Sequence, residues 1–271
     1  MDFGLPSLLF CHRLPTMIFS SRLFTILTFT VYVITNSSIF QGDTQLPFSL
    51  DEEIALSSES KRWLLALPAL VNRANGESHT TLEVELISRE ATAEHSRRLQ
   101  EWWGIKNRND LLKQISKLEE HGHNERYQRL LELLIVHPDM APQKIVAVYH
   151  LTRKDKNYLN FLSENLEKAQ QTELLAWDWG RAAALARWGY QSGYLEEREA
   201  WIILRYYGEK IQADYNSWKE YGRGYAFGRL FWASGFNGLD KFQGQTEEVL
   251  EILLSEHGLW ANIAWNVDLG S

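Results

Sequence analysis

The spacing of apolar residues constrains the fold of this chain more than any other feature of its sequence. From Leu50 onward, apolar residues recur mostly every three or four positions, which is the period of an amphipathic helix. Hydrophobic residues make up 45% of the chain, enough to build a core, and no internal repeat or low-complexity linker divides residues 50–271. The sequence therefore predicts an all-α fold in which residues 46–271 form a single compact multi-helix domain.

Capping residues and helix breakers place the boundaries of these helices. A first helix is predicted over residues 61–72, ended by Asn75 and Gly76, and residues 80–83 resemble a capping box. A second helix opens at residues 107–110 and is stopped by His121 and Gly122. A third runs through Tyr127 and Leu134 and ends before Pro138, and the last starts at Thr246. Residues 144–150 fit either a helix or a strand.

Six of the eleven tryptophans fall between Trp177 and Trp232. At 100° per residue, Trp177, Arg181 and Trp188 lie within about 60° of one another on one helix face. Asp178 precedes Arg181 by three positions, which is close enough for an ion pair. Residues 191–193 should end this helix. An arginine is thus expected inside a tryptophan stripe.

Two further stripes follow along the chain. The first runs from Trp201 through Tyr215 to Trp218 with steps of three and four, and residues 217–220 resemble a second capping box. The second stripe contains Tyr225 and Trp232, with Arg229 beside it. The sequence therefore predicts that aromatic and arginine side chains from neighbouring helices meet.

These segments carry a resemblance to a known family. The matching segments are Trp103-Gly104-Ile105, residues 176–181 and 186–190, Gly193-Tyr194, Glu197, Trp201, and residues 217–221 and 224–232. Together they resemble the bacterial family catalogued as domain of unknown function 1266, over roughly residues 60–235 and most specifically over 176–232. The first 45 residues look like an addition to the family pattern. The resemblance implies a mostly helical bacterial domain and implies no activity.

Seven residues form the candidate ligand-binding set. They are Asp178, Arg181, Arg187, Trp188, Trp218, Tyr225 and Arg229. One interpretation is an aromatic-walled cleft in which arginines hold an anionic group. The other interpretation, which we favour, is an internal Asp–Arg pair that ties two helices together under a tryptophan lid.

Several motif-like patterns have simpler explanations. Residues 222–228 resemble a glycine-rich dinucleotide loop, but a helical stripe precedes them, so close helix packing is the better interpretation. His121, His123 and His137 lack acidic residues at ligand spacing. Glu196, Glu197 and Glu199 fit the charged first turn of a helix. We therefore expect no metal and no cofactor.

Charge and cysteine content exclude further classes of function. The net charge is −7, which disfavours sequence-independent binding of nucleic acid. The single cysteine, Cys11, lies in the first 45 residues, so residues 46–271 have no thiol nucleophile and no disulfide. With no complete catalytic set in view, the sequence predicts a non-catalytic protein- or peptide-interaction module that uses a Trp/Tyr/Arg-rich surface. The alternative is an enzyme or small-ligand binder with an Asp/Arg cluster in an aromatic-lined pocket.

The first 45 residues differ from the rest of the chain. Residues 23–35 are uncharged and mostly apolar and directly follow Arg22, as in a secretory signal peptide or signal anchor. This pattern predicts export or membrane anchoring, with membrane contact only through residues 23–40. Two other interpretations stay open. Residues 1–45 could be a mis-called start before a cytoplasmic protein, or they could form a buried β-rich segment.

Overall fold

The computed structural model describes residues 46–77, 80–82 and 89–270, and within these residues all regular secondary structure is helical. The helices are α1 (Ser58–Ala66), α2 (Ala69–Ala74), α3 (Arg89–Trp103), α4 (Arg108–Glu120), α5 (His123–Val136), α6 (Pro142–Val148), α7 (Arg153–Glu164), α8 (Leu166–Gln170), α9 (Leu175–Gln191), α10 (Glu197–Asp214), α11 (Trp218–Ser234) and α12 (Leu239–Leu254), with a 3₁₀ turn over Trp260–Asn262. The predicted all-α fold is confirmed.

Helix α9 lies at the centre of the domain. It packs against α4, α10 and α11, and all but two of its residues are buried. The side of α9 that faces α11 has no room for a side chain at Gly180, because a Cβ placed there would lie 2.4 Å from the Tyr225 ring. Small residues therefore let neighbouring helices surround α9.

The buried residues form two apolar clusters. The larger one surrounds α9 and contains the tryptophans Trp63, Trp218 and Trp260. The smaller one joins α5 and α7 through Tyr127 and Tyr158. Helix α11 belongs to both clusters, because Tyr221 and Tyr225 point into the larger one while Phe227 and Phe231 point into the smaller one.

The prediction of one continuous helix over residues 61–72 is wrong, because Pro68 divides this stretch into α1 and α2. Proline has no amide hydrogen to donate to the carbonyl four residues earlier, so the first helix ends. The Leu67 amide donates to the Leu64 carbonyl instead, and the Pro68 carbonyl accepts from Asn72 at the start of the next helix.

Two other predicted boundaries need correction. The last helix begins at Leu239 and not at Thr246, whose hydroxyl donates to the Phe242 carbonyl at 2.6 Å within that helix. The stripe from Trp201 does not reach Trp218 on one helix. Helix α10 ends at Asp214, and Ser217 caps the new helix α11 by accepting from the Glu220 amide.

Other boundaries agree with the sequence. Asn107 caps α4 by accepting from the Asp110 amide, α5 ends at Val136 before Pro138, and residues 142–148 are helical. Of the capping box predicted over residues 80–83, residues 80–82 are not helical and residue 83 lies outside the described residues. The targeting segment predicted within residues 1–45 also lies outside them. No helix in the described part of the chain is both long and apolar enough to span a membrane.

Candidate functional site

Asp178 of α9 caps the N-terminus of α5 from outside that helix. Its carboxylate accepts the backbone amides of His123 at 3.0 Å and Asn124 at 2.7 Å. Free amides at a helix start need acceptors, and an ionised carboxylate is a strong one. Asp178 is 1% exposed, so this cap is made inside the protein.

The two helix starts cap each other. The side-chain oxygen of Asn124, in the first turn of α5, accepts the Leu174 amide at the start of α9 at 2.9 Å. Gly122 makes room for this arrangement, because a Cβ placed on it would lie 2.2 Å from an Asp178 carboxylate oxygen. The residue at the cap position of α5 therefore has no side chain, and Asp178 supplies the acceptor in its place.

Arg181 completes this polar centre. Its guanidinium donates to Asp178 at 2.5 Å and to Nδ1 of His123 at 3.0 Å. It also lies 4.5 Å from the Trp177 ring centre and 5.6 Å from that of Trp103. The side chain is thus paired, stacked and buried.

His123 is neutral in this centre. Burial, together with the Arg181 charge, lowers the pKa of the His123 ring to about 2. A neutral ring leaves one nitrogen free to accept, and Nδ1 faces the Arg181 donor. We call Asp178, Arg181, His123 and Asn124 the capping centre.

Arg187 and Trp188 lie further along α9 and hold the segment after α2 against it. Arg187 donates to the Thr81 carbonyl at 3.1 Å and to Glu77 at 3.5 Å. The Trp188 indole donates to the same Glu77 carboxylate at 2.8 Å. Burial lowers the pKa of the Arg187 guanidinium, and the Glu77 charge opposes that shift.

Arg229 joins α11 to α12. It donates to the Thr246 hydroxyl at 3.1 Å and to the Gln245 side-chain oxygen at 2.8 Å, and it lies 5.3 Å from the Phe242 ring centre. Its partners are neutral, and burial lowers the pKa of its guanidinium. Arg229 therefore connects α11 to α12 through neutral hydrogen-bond partners and not through an ion pair.

The two remaining candidates are aromatic residues of the larger cluster. The Trp218 indole donates to the Ile263 carbonyl at 2.8 Å and stacks on Trp260 with 8° between the ring planes. The Tyr225 ring contacts Trp177 edge-on, and burial raises the pKa of its hydroxyl. Both residues are buried.

All seven candidate residues are buried, so they do not form an exposed Trp/Tyr/Arg-rich surface. The structure brings Asp178 and Arg181 together and places Arg187 and Arg229 in separate contacts. The Asp178–Arg181 pair lies within one helix and connects it to α5, as the interpretation of an internal pair expected. A ligand-binding role for these residues stays a prediction.

The glycine-rich segment lies inside α11, as the packing interpretation expected. A Cβ on Gly228 would lie 2.3 Å from the Cβ of Trp177, and one on Gly224 would lie 3.3 Å from the Cβ of Ala176. The glycines thus bring α11 close to α9.

The three histidines do not meet. His121 contacts Glu125 at 3.2 Å, His123 contacts Arg181, and His137 contacts the Tyr149 hydroxyl at 2.5 Å. Among the described residues, no group of three or more His, Cys, Asp or Glu side chains could hold a metal ion.

An open cleft that the sequence did not predict lies at the start of α10. This cleft has a volume of about 420 Å³ and is lined by Ile54, Leu56, Lys61, Glu196, Glu197, Arg198 and Trp201. Lys61 Nζ lies 5.2 Å from the Trp201 ring centre, and the Trp201 indole donates to Glu197 at 3.0 Å. We call these seven residues the α10 cleft.

A sequence signal for this cleft exists. Ile54 and Leu56 alternate with Glu53 and Ala55, which is the period of an extended segment and not of a helix. In the structure Ile54 and Leu56 are half-buried while Glu53 and Ala55 are exposed. This change of period marks the segment that forms one wall of the cleft.

Comparison with known proteins places the chain among proteins without an assigned role. The uncharacterised proteins YbeR and YbeU of Escherichia coli strain K12 are each 29% identical to it over 133 residues, which is 49% of this chain. The match covers 55% of each relative, so the chain spans about half the length of these relatives. No solved structure matches the chain.

The family resemblance is confirmed with shifted limits. A family model described as "Protein of unknown function (DUF1266)" matches residues 98–265, so the match starts later and extends further than the 60–235 expected from the sequence. The matched region includes the capping centre and the α10 side of the cleft. The chain belongs to this family of proteins of unknown function.

Proposed function

We propose that this domain is a non-catalytic protein- or peptide-interaction module. The α10 cleft is the observation that carries the proposal, because it combines apolar side chains, an indole and charged groups in one open surface. Aromatic and arginine side chains with an apolar centre are typical of binding surfaces. The interaction surface proposed here is the open cleft with its exposed residues Glu196 and Glu197, rather than the buried residues 178–188.

The capping centre supports this proposal over an anion-binding function. The Arg181 guanidinium is already bonded to Asp178 and His123, and Arg187 is bonded to Glu77 and Thr81. An incoming anion would have to displace a buried carboxylate, and an uncompensated buried charge costs about 3–5 kcal/mol. The geometry therefore favours a structural role for these arginines.

Site-specific photocrosslinking tests the proposal. A benzophenone amino acid placed at Glu197, on the cleft, should give one discrete covalent adduct in cells that express the full chain. The same group at the exposed residue Glu132 of α5 serves as the control and should give none. The adduct should weaken when Glu196→Lys is added, because this substitution reverses a charge of the cleft.

Turnover of a small molecule would contradict the proposal. The purified chain should not hydrolyse nucleotides, glycans or peptides in a broad activity screen. A reaction that stops on substitution of an α10 cleft residue would replace the interaction module with an enzyme.

We also propose that residues 1–45 direct the protein to export or to a membrane. The uncharged run over residues 23–35 behind Arg22 supports this proposal. Mass spectrometry of the native N-terminus and cell fractionation test it, with processing near Ser37 or recovery with membranes as the expected result. A soluble cytoplasmic product that starts near residue 46 would contradict it.

A further inference from the structure

The α10 cleft lies beside a non-helical stretch of backbone, in which the side chains of residues 53–56 alternate between exposed and half-buried as in an extended chain. Trp201 lies at its base, and Ile54 and Leu56 line one wall from residues 52–56. These five residues belong to no helix. An extended segment beside a cleft is a surface on which another extended chain can pack.

The backbone of this segment is largely unpaired. Among the described residues, no group accepts a hydrogen bond from the amides of residues 52–56, and no donor reaches the carbonyls of residues 53–56. Unpaired backbone amides and carbonyls along one edge can bind a further strand, as in peptide recognition by strand addition.

One edge of the segment faces the C-terminal part of the chain. A Cβ placed on Gly270 would lie 3.0 Å from the Ala55 carbonyl oxygen, so Ala55 points toward that residue. In an extended chain, the backbone groups of neighbouring residues point to opposite sides. The backbone groups of Ile54 and Leu56 therefore point to the other edge.

The charge around the cleft is acidic. Glu53, Glu59, Glu196 and Glu197 have no ion-pair partner in the part of the chain that the structure describes, whereas Arg198 lies 4.0 Å from Asp51. Arg205 pairs with Glu52, so residues 51–61 and 196–198 together with Arg205 contain six carboxylates and three basic side chains, a net charge of −3. A partner with positive charge complements this surface.

We propose that the α10 cleft binds an extended peptide segment of a partner protein with alternating basic and apolar residues. The inference rests on the proposed interaction function and specifies its ligand. The peptide backbone pairs with Ile54 and Leu56, its apolar side chains pack in the cleft beside Trp201, and its basic side chains lie on the opposite face near Glu53. Neighbouring side chains of an extended peptide point to opposite faces, so one face is apolar and the other basic.

Fluorescence anisotropy with a defined probe tests the inference. The probe is the acetylated, amidated, fluorescein-labelled peptide Lys-Val-Lys-Leu-Lys-Val-Lys, titrated with the purified full-length chain at low ionic strength. We expect saturable binding of this probe. We expect no binding of the acidic counterpart Glu-Val-Glu-Leu-Glu-Val-Glu. We expect much weaker binding of Lys-Gly-Lys-Gly-Lys-Gly-Lys, which keeps the charge and lacks the apolar side chains.

Charge reversal on the protein locates the binding site. The double variant Glu53→Lys with Glu196→Lys should weaken binding of the probe by about tenfold or more, with an unchanged circular dichroism spectrum, which is needed because Glu196 also caps α10. The matched control Glu132→Lys with Glu164→Lys changes the net charge equally at exposed positions of α5 and α7, and should leave binding close to that of the unmodified chain. Equal effects of both double variants would overturn the inference.

Backbone methylation of the probe tests the strand-like pairing without altering the protein. In an extended peptide, the valine and leucine amides point to one edge and the lysine amides to the other. Methylation of one set should abolish binding and methylation of the other should preserve it. Equal binding of both methylated probes would overturn the inference.

The outcomes also separate this inference from the proposed function. A cleft adduct at Glu197 together with no binding of the probe would overturn the peptide inference and leave the interaction module standing. Self-association of the full-length chain that is lost in the Glu53/Glu196 double variant would assign the cleft to a second copy and overturn the peptide inference.

Discussion

The capping centre and the α10 cleft contain the same kinds of residue and differ in what these residues contact. The capping centre has one carboxylate and one guanidinium beside the Trp177 indole, and the cleft has two carboxylates and two basic side chains beside the Trp201 indole. In the capping centre, the Asp178 carboxylate has three partners within the protein and is 1% exposed. In the cleft, the Glu196 carboxylate is exposed and accepts only the Glu199 amide at the start of α10, and the backbone of residues 53–56 has no hydrogen-bond partner among the described residues.

This difference shows that residue type alone does not distinguish a packing contact from a binding surface. A buried ionised group needs a partner within the protein, because no water replaces it. An exposed group keeps its capacity to bond an incoming chain. Substitutions in the capping centre should therefore change stability, and substitutions in the cleft should change binding.

Removal of the Asp178 carboxylate should give the largest effect. We expect Asp178→Ala to lower the free energy of unfolding by about 3–5 kcal/mol, because it leaves Arg181 and two amides of α5 without their acceptor. Arg181→Ala should cost about 3 kcal/mol. Urea denaturation of both single variants and the double variant should show strong coupling, and additive effects would contradict the pair.

A side chain at Gly122 should disturb the same centre by crowding. Gly122→Ala should cost about 1–3 kcal/mol, because its Cβ would meet the Asp178 carboxylate at 2.2 Å. The matched control is Gly244→Ala in α12, where nothing lies within 4 Å of the new Cβ. This control should be neutral or stabilise by up to about 1 kcal/mol, since alanine has a higher helix propensity than glycine. Equal effects at both positions would contradict the close contact.

The neutral state of His123 should make stability depend on pH. The pKa of its ring is lowered to about 2 in the folded chain, against about 6.5 in the unfolded chain. The unfolded chain therefore binds a proton below pH 6.5 that the folded chain does not, and stability is lost as pH falls. The expected slope is at most about 1.4 kcal/mol per pH unit from this residue.

Unfolding measurements between pH 7 and pH 5 report mainly on histidines, because carboxylic acids have ordinary pKa values of about 4 and most of them stay ionised in this range. His123→Asn keeps an acceptor for Arg181 and should flatten the profile. Burial also lowers the pKa of His95, so part of the slope should remain in this variant. An unchanged slope in the variant would contradict the role assigned to His123.

The sequence predicts the helices of this domain better than its polar contacts. The spacing of Trp177, Arg181 and Trp188 places them on one face because a helix has a fixed period. The Asp178–Arg181 pair follows from the same period. The bonds from Asp178 to His123 and Asn124 join residues 54 or more positions apart, and no local pattern encodes them.

The cleft was missed for a related physical reason. Trp201 belongs to a helical stripe and is 6% exposed, so its spacing indicates core packing. Lys61 and the segment over residues 52–56 reach it from more than 130 positions away in the sequence. A cleft formed by distant segments becomes visible only when the tertiary contacts are known.

Loss of the cap that Asn124 provides to α9 should lower stability less than loss of the Asp178 contacts. Asn124→Ala removes the acceptor of the Leu174 amide at 2.9 Å and should cost about 1 kcal/mol, the usual value for a lost helix cap. Asn124→Asp keeps an acceptor oxygen and is the control. It should lose less stability in the same urea titration, and a loss equal to that of the alanine variant would contradict the cap.

Inorganic phosphate should have the smallest effect, and this measurement sharpens the comparison between the two regions. A ligand present at one hundred times its dissociation constant stabilises a protein by about 2.7 kcal/mol. If Arg181, Arg187 and Arg229 formed an anion site, phosphate would therefore raise the melting temperature well above the shift produced by chloride at equal ionic strength. Their guanidinium groups already donate to Asp178, Glu77 and Gln245, so we expect phosphate and chloride to give the same melting temperature. A phosphate-specific increase that disappears in Arg229→Gln would show that these buried arginines open to a ligand, and the alternative function as an anion binder would then replace the structural role described here.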